Sequence, residues 1–250
     1  MTDPGYLPYE PQGRPVAWAD DVWIVDGPEV GYRLAGLTVP CPTRMTVVRL
    51  ADGTLWVHSP VAWSEALAAA LAELGTVGLI VAPSSYHHLH VAAWQMAFPA
   101  AQVHACPGVL RSPTARDWIA LGQSAPAARC VSIDQLLVDL GSFEEVIFFH
   151  RPSRTLIVTD LMQNFEAARV RNPFTRLLLK AGGATGPNGR ASIEIRLAGR
   201  GRRRDLRAAV RQMADWAPTS ILLSHGACFR VDAVAELRRA FAWAGSDAQA

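Results

Sequence analysis

Apolar residues fall along the chain in two patterns, short runs of strand length and longer segments with helical spacing. Residues 45–50 and 54–58 predict a β-hairpin, because Ala51, Asp52 and Gly53 between them are typical of a turn. The run at 78–82, Gly-Leu-Ile-Val-Ala, is apolar throughout. An uninterrupted run of this kind favours a strand that is buried on both faces and paired in parallel.

Helical patterns alternate with these strands. Ser59 and Pro60 are suited to the N-cap and first turn of a helix, which Gly75 would end. The same reasoning predicts further helices at 91–98, 173–180, 203–216 and from Asp232 onward, and strands at 22–25, 102–105, 135–138, 146–149, 155–159 and 221–224.

The order of these elements predicts the α/β class. Each half of the chain begins with a hairpin and continues with helices and strands in alternation, so two mixed sheets with helices outside them, a four-layer αββα sandwich, fit best. We expect an extended N-terminal arm at residues 1–15, a single domain at 16–245 and a disordered tail at 246–250.

Composition restricts the possible partners. Of the 250 residues, 50% are hydrophobic and 18% are charged, which is typical of a compact globular protein, and a net charge of +2 does not indicate nucleic-acid binding. The four cysteines form no CxxC pair, which favours a reducing, cytoplasmic setting. Neither a signal peptide nor a membrane-spanning segment is recognisable, so we expect a small-molecule substrate and no membrane partner. The oligomeric state stays open.

Polar residues that can bind a metal follow three of the predicted strands. The segment after strand 78–82 contains His87, His88 and His90, Asp160 closes strand 155–159, and His225 follows Ser224 at the end of strand 221–224. Imidazoles and carboxylates that several strand ends deliver to one region predict a metal site.

The order of four short segments resembles the metallo-β-lactamase fold. These segments are His58-Ser59-Pro60, Pro83-x-Ser85-x-His87-His88, Thr159-Asp160-Leu161 and Ser224-His225-Gly226. In that family the second of them reads His-x-His-x-Asp-His, and the resemblance extends over residues 20–244. More narrowly, residues 42–50 and 149–155 are similar to a branch of that superfamily known only as a domain of unknown function.

The resemblance implies a site with one metal ion. The family's first metal site uses the first two histidines of the motif, and Pro83 and Ser85 stand there, so that site should be absent. The second site would keep His88, Asp160 and His225, with His87 in place of the motif's aspartate as a possible fourth ligand. One divalent ion, zinc or iron, suits such donors.

Two questions about the histidines remain open at this point. Adjacent residues on a regular strand point in opposite directions, so His87 and His88 can ligate together only if a turn or a helix start intervenes. Whether His90 is a ligand is also open, although packing on the following helix is favoured. His58 has either a supporting role near the site or an ordinary polar contact.

The leading functional hypothesis is a metal-dependent hydrolase acting on a small ester, lactone or thioester, with Asp160 and His225 central to catalysis through the metal. A mononuclear iron enzyme that activates O₂ is a second hypothesis. A third is a non-catalytic member of the fold that binds a ligand or partner.

Overall fold

The structure is a computed structural model that describes residues 5–34, 37–115, 117–121 and 132–245. The expected disordered tail at 246–250, the first four residues of the arm and Cys130 lie outside the described residues. No helix in the described part combines the length and the apolar character needed to cross a bilayer.

Two β-sheets form the centre of the fold. The first sheet has seven strands in sequential order, β1 to β7, and its later neighbours, from β4 onward, pair in parallel. Its strands are β1 (Val16–Ala19), β2 (Val22–Leu34), β3 (Leu37–Arg49), β4 (Thr54–His58), β5 (Thr76–Ala82), β6 (Gln102–Ala105) and β7 (Ile119–Ala120).

The second sheet has four strands in the order β11-β10-β9-β8, and β10 and β11 pair in parallel. These strands are β8 (Ile133–Asp139), β9 (Glu144–His150), β10 (Thr155–Val158) and β11 (Ser220–Leu223). The helices are α1 (Glu65–Ala72), α2 (Val91–Ala97), α3 (Pro173–Gly182), α4 (Ile193–Ala198), α5 (Arg203–Asp215) and α6 (Ala233–Phe241).

The second sheet is buried on both faces, which explains its apolar sequence. Along β9, Val146 and Phe148 belong to the core shared with the first sheet, whereas Ile147 and Phe149 belong to a core shared with α5 and α6. This division follows from the two-residue side-chain period of a strand. Sheet packs against sheet, with helices on the outside, as the sequence predicted.

The first helix begins later than predicted. Ser64, not Ser59, is its N-cap, and the Ser64 hydroxyl accepts a hydrogen bond from Leu67 N at 3.2 Å. Ser59 has a positive φ of 52°, and its hydroxyl contacts His87 Nδ1 instead of capping the helix. Helix α4 was not predicted, because a helix of six residues is too short to show clear periodicity.

The N-terminal arm packs against the body of the protein. Tyr6 is 1% exposed and shares a small apolar cluster with Phe165 and Val170. Its backbone bridges to Val170, and Leu7 N donates to Arg169 O. The described part of the arm therefore helps to hold the segment that follows Asp160.

Candidate metal centre

Three side chains from three strand ends converge at one edge of the sheets. His87 lies in the turn after β5, Asp160 follows β10 and His225 follows β11. The Nε2 atoms of His87 and His225 are 3.2 Å apart. The Asp160 carboxylate lies 3.1 Å from His87 Nε2 through Oδ2 and 3.3 Å from His225 Nε2 through Oδ1.

A hydrogen bond on the far side of each imidazole restrains the ring. His225 Nδ1 contacts the Pro42 carbonyl oxygen at 2.7 Å, and because a carbonyl can only accept, Nδ1 carries the hydrogen. His87 Nδ1 contacts Ser59 Oγ at 2.6 Å, and when this ring donates its Nδ1 hydrogen to the hydroxyl, it has the same tautomer as His225. In the neutral rings both Nε2 atoms then turn lone pairs toward the carboxylate.

This donor set fits a divalent cation. Two nitrogen lone pairs and a carboxylate within 4.8 Å of one another repel unless a positive charge lies among them. Asp160 Oδ2 is buried and accepts no hydrogen bond within the described part of the chain. Two ligands of a tetrahedral zinc ion, each 2.0–2.1 Å from the metal, are about 3.3 Å apart. The observed separations of 3.1–3.3 Å match that spacing.

The site shifts the pKa of its carboxylate. When protons occupy the site in place of a metal, burial opposes ionisation of Asp160, but the charge of His87 and the hydrogen bonds from His225 and His87 outweigh it, so the pKa of Asp160 is lowered from its ordinary value. Gln163 Nε2 donates to Asp160 Oδ1 at 3.2 Å and restrains the same carboxylate. Asp160 is therefore held as an oriented anion.

Glu145 holds the turn at Asp160 through hydrogen bonds to its backbone. Its fully buried carboxylate accepts hydrogen bonds from the backbone nitrogens of Thr159, Asp160 and Leu161 at 2.6, 2.9 and 2.7 Å. Burial and the charge of Asp160 raise the pKa of Glu145 to about 7, and the backbone donors at Thr159 and Leu161 oppose that rise. A buried glutamate that satisfies three amides holds the turn in one conformation.

Arg44 performs the same task for the His225 turn. Its guanidinium pairs with Asp26 at 2.8 Å and donates to Leu223 O and Gly226 O at 2.8 and 2.7 Å. Arg44 therefore binds one carboxylate and two backbone carbonyls together. Cys228 Sγ lies 3.1 Å from the same guanidinium.

The remaining histidines lie outside the group of three ligand atoms. His88 has a buried Nδ1 with no hydrogen-bond partner in the described residues, and its ligation stays a prediction from the sequence. His90 occupies the N-cap position of α2 without capping it. His58 is 1% exposed and stacks on Trp56 at 5.2 Å. Neither of its ring nitrogens has a hydrogen-bond partner among the described residues, so the ordinary polar contact, one of the two alternatives for His58, is not observed.

A cavity of about 110 Å³ opens beside the three ligands. Its lining comes from β2, β3, the turns after β4 and β5, the turn at Asp160 and α4: Val30, Tyr32, Cys41, Thr43, Ser59, Pro60, Tyr86, His87, Leu89, His90, Asp160, Gln163, Ser192, Glu194, Ile195 and His225. This volume is below the roughly 300–1,000 Å³ of sites for drug-sized ligands.

Comparison with protein families finds that the family described as "Domain of unknown function (DUF4336)" matches residues 19–172. The chain belongs to the DUF4336 family. The matched region contains His87 and Asp160 and ends before His225. A comparison of this DUF4336 protein with curated proteins finds no match.

Solved structures similar to this DUF4336 protein share its fold at low sequence identity. They include a putative diflavin flavoprotein from Nostoc sp. PCC 7120 (TM-score 0.60, 9% identity, 96% of this chain and 97% of the other). The metallo-β-lactamase FIM-1 from Pseudomonas aeruginosa in a mono-zinc form has a TM-score of 0.55 and 12% identity, and the match covers 97% of this chain and 98% of FIM-1. The peroxy diiron species of the chemotaxis sensor ODP has a TM-score of 0.55 and 14% identity, and the match covers 92% of this chain and 93% of the sensor chain.

These neighbours confirm the predicted metallo-β-lactamase fold and the predicted membership of an uncharacterised branch. At such low sequence identities, these neighbours show the fold alone. The chemistry of this DUF4336 protein has to be inferred from its own residues. Sequence reasoning missed the site roles of Ser59, Glu145, Tyr32 and Glu194. A visible signal existed only for Glu145, an acidic residue directly before the apolar run 146–149.

Proposed function

We propose that His87, Asp160 and His225 hold one divalent metal ion and that the protein is a hydrolase for a small ester, lactone or thioester. The observation that carries this proposal is the convergence of two imidazole lone pairs and one carboxylate beside a small cavity. Three protein ligands with an open side are typical of catalytic rather than structural zinc. A divalent ion there would polarise a substrate carbonyl and lower the pKa of a water molecule.

The protein's own residues would supply orientation. Ser59 and the Pro42 carbonyl fix the two imidazole planes, and Gln163 restrains the Asp160 carboxylate. The buried apolar residue Ile195 would exclude water from part of the cavity.

Oxygen-activating iron chemistry is the second candidate function, and one observation favours it. The three converging side chains are two histidines and one carboxylate, the ligand set of many non-haem iron(II) oxygenases. Zinc and iron therefore both fit the site, and the identity of the metal separates the two functions.

Metal analysis of purified and reconstituted protein tests both proposals. We expect one equivalent of zinc or iron per chain, bound by the wild type and lost by His87→Ala, His225→Ala and Asp160→Asn. His88→Ala is the matched variant, because His88 adjoins His87 and lies outside the group of ligand atoms. We expect His88→Ala to retain the metal. If His88→Ala lost the metal and His87→Ala kept it, the ligands would be His88, Asp160 and His225 instead of the set proposed here.

Activity then distinguishes the reactions. Stoichiometric zinc with turnover of small esters supports the hydrolase. Stoichiometric iron with oxygen consumption supports the redox enzyme. Absence of metal after reconstitution with both ions would overturn both proposals and favour a protein that binds a ligand without catalysis.

A further inference from the structure

One wall of the cavity is acidic and aromatic. Glu194, on α4, lines the cavity, and its two carboxylate oxygens share the single hydrogen of the Tyr32 hydroxyl at 3.1 and 3.3 Å. Tyr32 in turn packs edge-to-face on Tyr86, with ring centroids 5.6 Å apart and an interplanar angle of 86°. Two perpendicular rings and a carboxylate thus meet at one wall.

The charges along the cavity are unbalanced at this wall. Among its described lining residues there is no lysine and no arginine, while Asp160 and Glu194 both carry carboxylates. Asp160 is neutralised by the cation that the metal centre holds in the proposed function. Among the described lining residues, the hydrogen-bond partner of Glu194 is a neutral phenol, and a carboxylate can accept more than this one shared hydrogen.

Tyrosine faces carry negative electrostatic potential, which attracts organic cations. Tyr86 is held in place by a second ring, because it stacks on Phe143 at 6.5 Å. A carboxylate beside tyrosine rings can recognise an ammonium group, whereas an anionic group at this wall would face Glu194 without a compensating cation.

We propose that the wall formed by Tyr32, Tyr86 and Glu194 binds an organic ammonium group and that the protein's substrates are small esters of amino alcohols or small thioesters of amino thiols. The inference about substrates rests on the proposed hydrolase, while the ammonium site itself does not require the metal. The carbonyl would face the metal ligands and the ammonium would face Glu194. Hydrolysis adds water across the acyl bond and yields a carboxylic acid and an amino alcohol or amino thiol.

Binding to full-length, metal-free protein tests the ammonium site. The probes are choline and 3,3-dimethyl-1-butanol, which has the same shape without the charge, and the readout is the dissociation constant from protein-observed NMR. We expect choline to bind about tenfold more tightly. Glu194→Gln should remove this preference and Tyr86→Leu should reduce it. Glu73→Gln, a change at an exposed glutamate on the C-cap of α1, should leave it intact.

Equal affinity for the two probes, or a preference that survives in Glu194→Gln, would overturn the ammonium site. Turnover by metal-loaded protein then separates the two proposals. Acetylcholine and 3,3-dimethylbutyl acetate form a matched pair of esters, and we expect kcat/KM to favour acetylcholine about tenfold through KM. If neither ester is hydrolysed while choline binding persists, the hydrolase fails and the ammonium site stands. If both are hydrolysed equally, the hydrolase stands and the substrate assignment fails.

Discussion

The carboxylate of Glu145 accepts a hydrogen bond from the backbone nitrogen of Asp160 at 2.9 Å, from a position with no exposure to solvent. The same carboxylate binds the backbone nitrogens on either side of Asp160. The Asp160 side chain therefore points at the metal centre while its backbone is hydrogen-bonded to a second, buried carboxylate, that of Glu145. A supporting contact of this kind restricts the ligand to one orientation before any metal binds.

Glu145→Gln should weaken both the fold and the metal centre. An amide offers one accepting oxygen where the carboxylate has two, so at least one of the three backbone N–H groups loses its partner. We expect unfolding free energy to fall by about 1–3 kcal/mol. We also expect metal affinity to fall about 10–100-fold. Chemical denaturation and metal titration measure the two effects.

The adjacent Glu144→Gln is the control for that substitution. Glu144 pairs with Arg111, whose side chain is 78% exposed, so the change should have little effect on either quantity. Equal losses in both variants would show that Glu145 has no special relation to the Asp160 turn.

Arg44→Lys should loosen the turn that presents His225. A lysine keeps the charge but lacks the planar fork that reaches Asp26 and two backbone carbonyls together. We expect a loss of about 1–3 kcal/mol in unfolding free energy, together with weaker metal binding. Arg49→Lys is the matched control, because Arg49 pairs with Asp21 at the surface, and its expected effect is below about 0.5 kcal/mol. Comparable losses in the two variants, or unaltered metal affinity in Arg44→Lys, would contradict this role.

His58 should make stability depend on pH. Burial, and then the nearby His87 charge, lower the pKa of His58 from 6.5 to about 3. Below pH 6.5, His58 binds a proton in the unfolded chain but not in the folded chain, so the stability of the fold decreases as the pH falls from 6.5 toward about 3. The loss is about 1.4 kcal/mol per pH unit, or about 2 kcal/mol by about pH 5.

His58→Phe should remove that component of the pH dependence. Phenylalanine retains the contacts with Trp56 and Phe148 and has no nitrogen to leave without a partner. Denaturation of metal-free wild type and variant at about pH 7.5 and about pH 5 provides the comparison. An unchanged difference between the two pH values in the variant would assign the effect to other groups.

Much of the fold could be predicted because its signals are local. The apolar run at 78–82 predicted a buried parallel strand, and β5 pairs in parallel with both β4 and β6. The hairpin around Ala51-Asp52-Gly53 also follows the sequence, as β3 and β4 pair in register on either side of it. Asp160 and His225 were expected together because parallel strands end at the same edge, and β10 and β11 do so.

The choice between His87 and His88 could not be predicted in the same way. Both residues lie in a turn where His87 N donates to Ser84 O, so the direction of each side chain depends on backbone angles that no periodicity reveals. The resemblance favoured His88, while the geometry joins His87 to Asp160 and His225. Ser59 presents the same problem, since its positive φ changes a plausible helix cap into a partner for His87.

Gly226 adjoins the ligand His225 and has no room for a side chain. Its φ is +91°, and a Cβ added there would lie 1.9 Å from the Asn164 carbonyl oxygen, a backbone atom that cannot rotate away. Gly226→Ala should therefore separate the turns at Asn164 and His225, destabilise the fold by more than the conformational cost alone, and reduce metal retention.

Gly53→Ala isolates that conformational cost. Gly53 has a similar φ of +81°, but a Cβ there meets nothing within 4 Å. We expect it to lose only about 1–2 kcal/mol and to keep its metal. Thermal or chemical unfolding of both variants, with metal content measured on the folded protein, gives the comparison. If Gly226→Ala behaved like Gly53→Ala in both measurements, close contact between these turns would not be what positions His225.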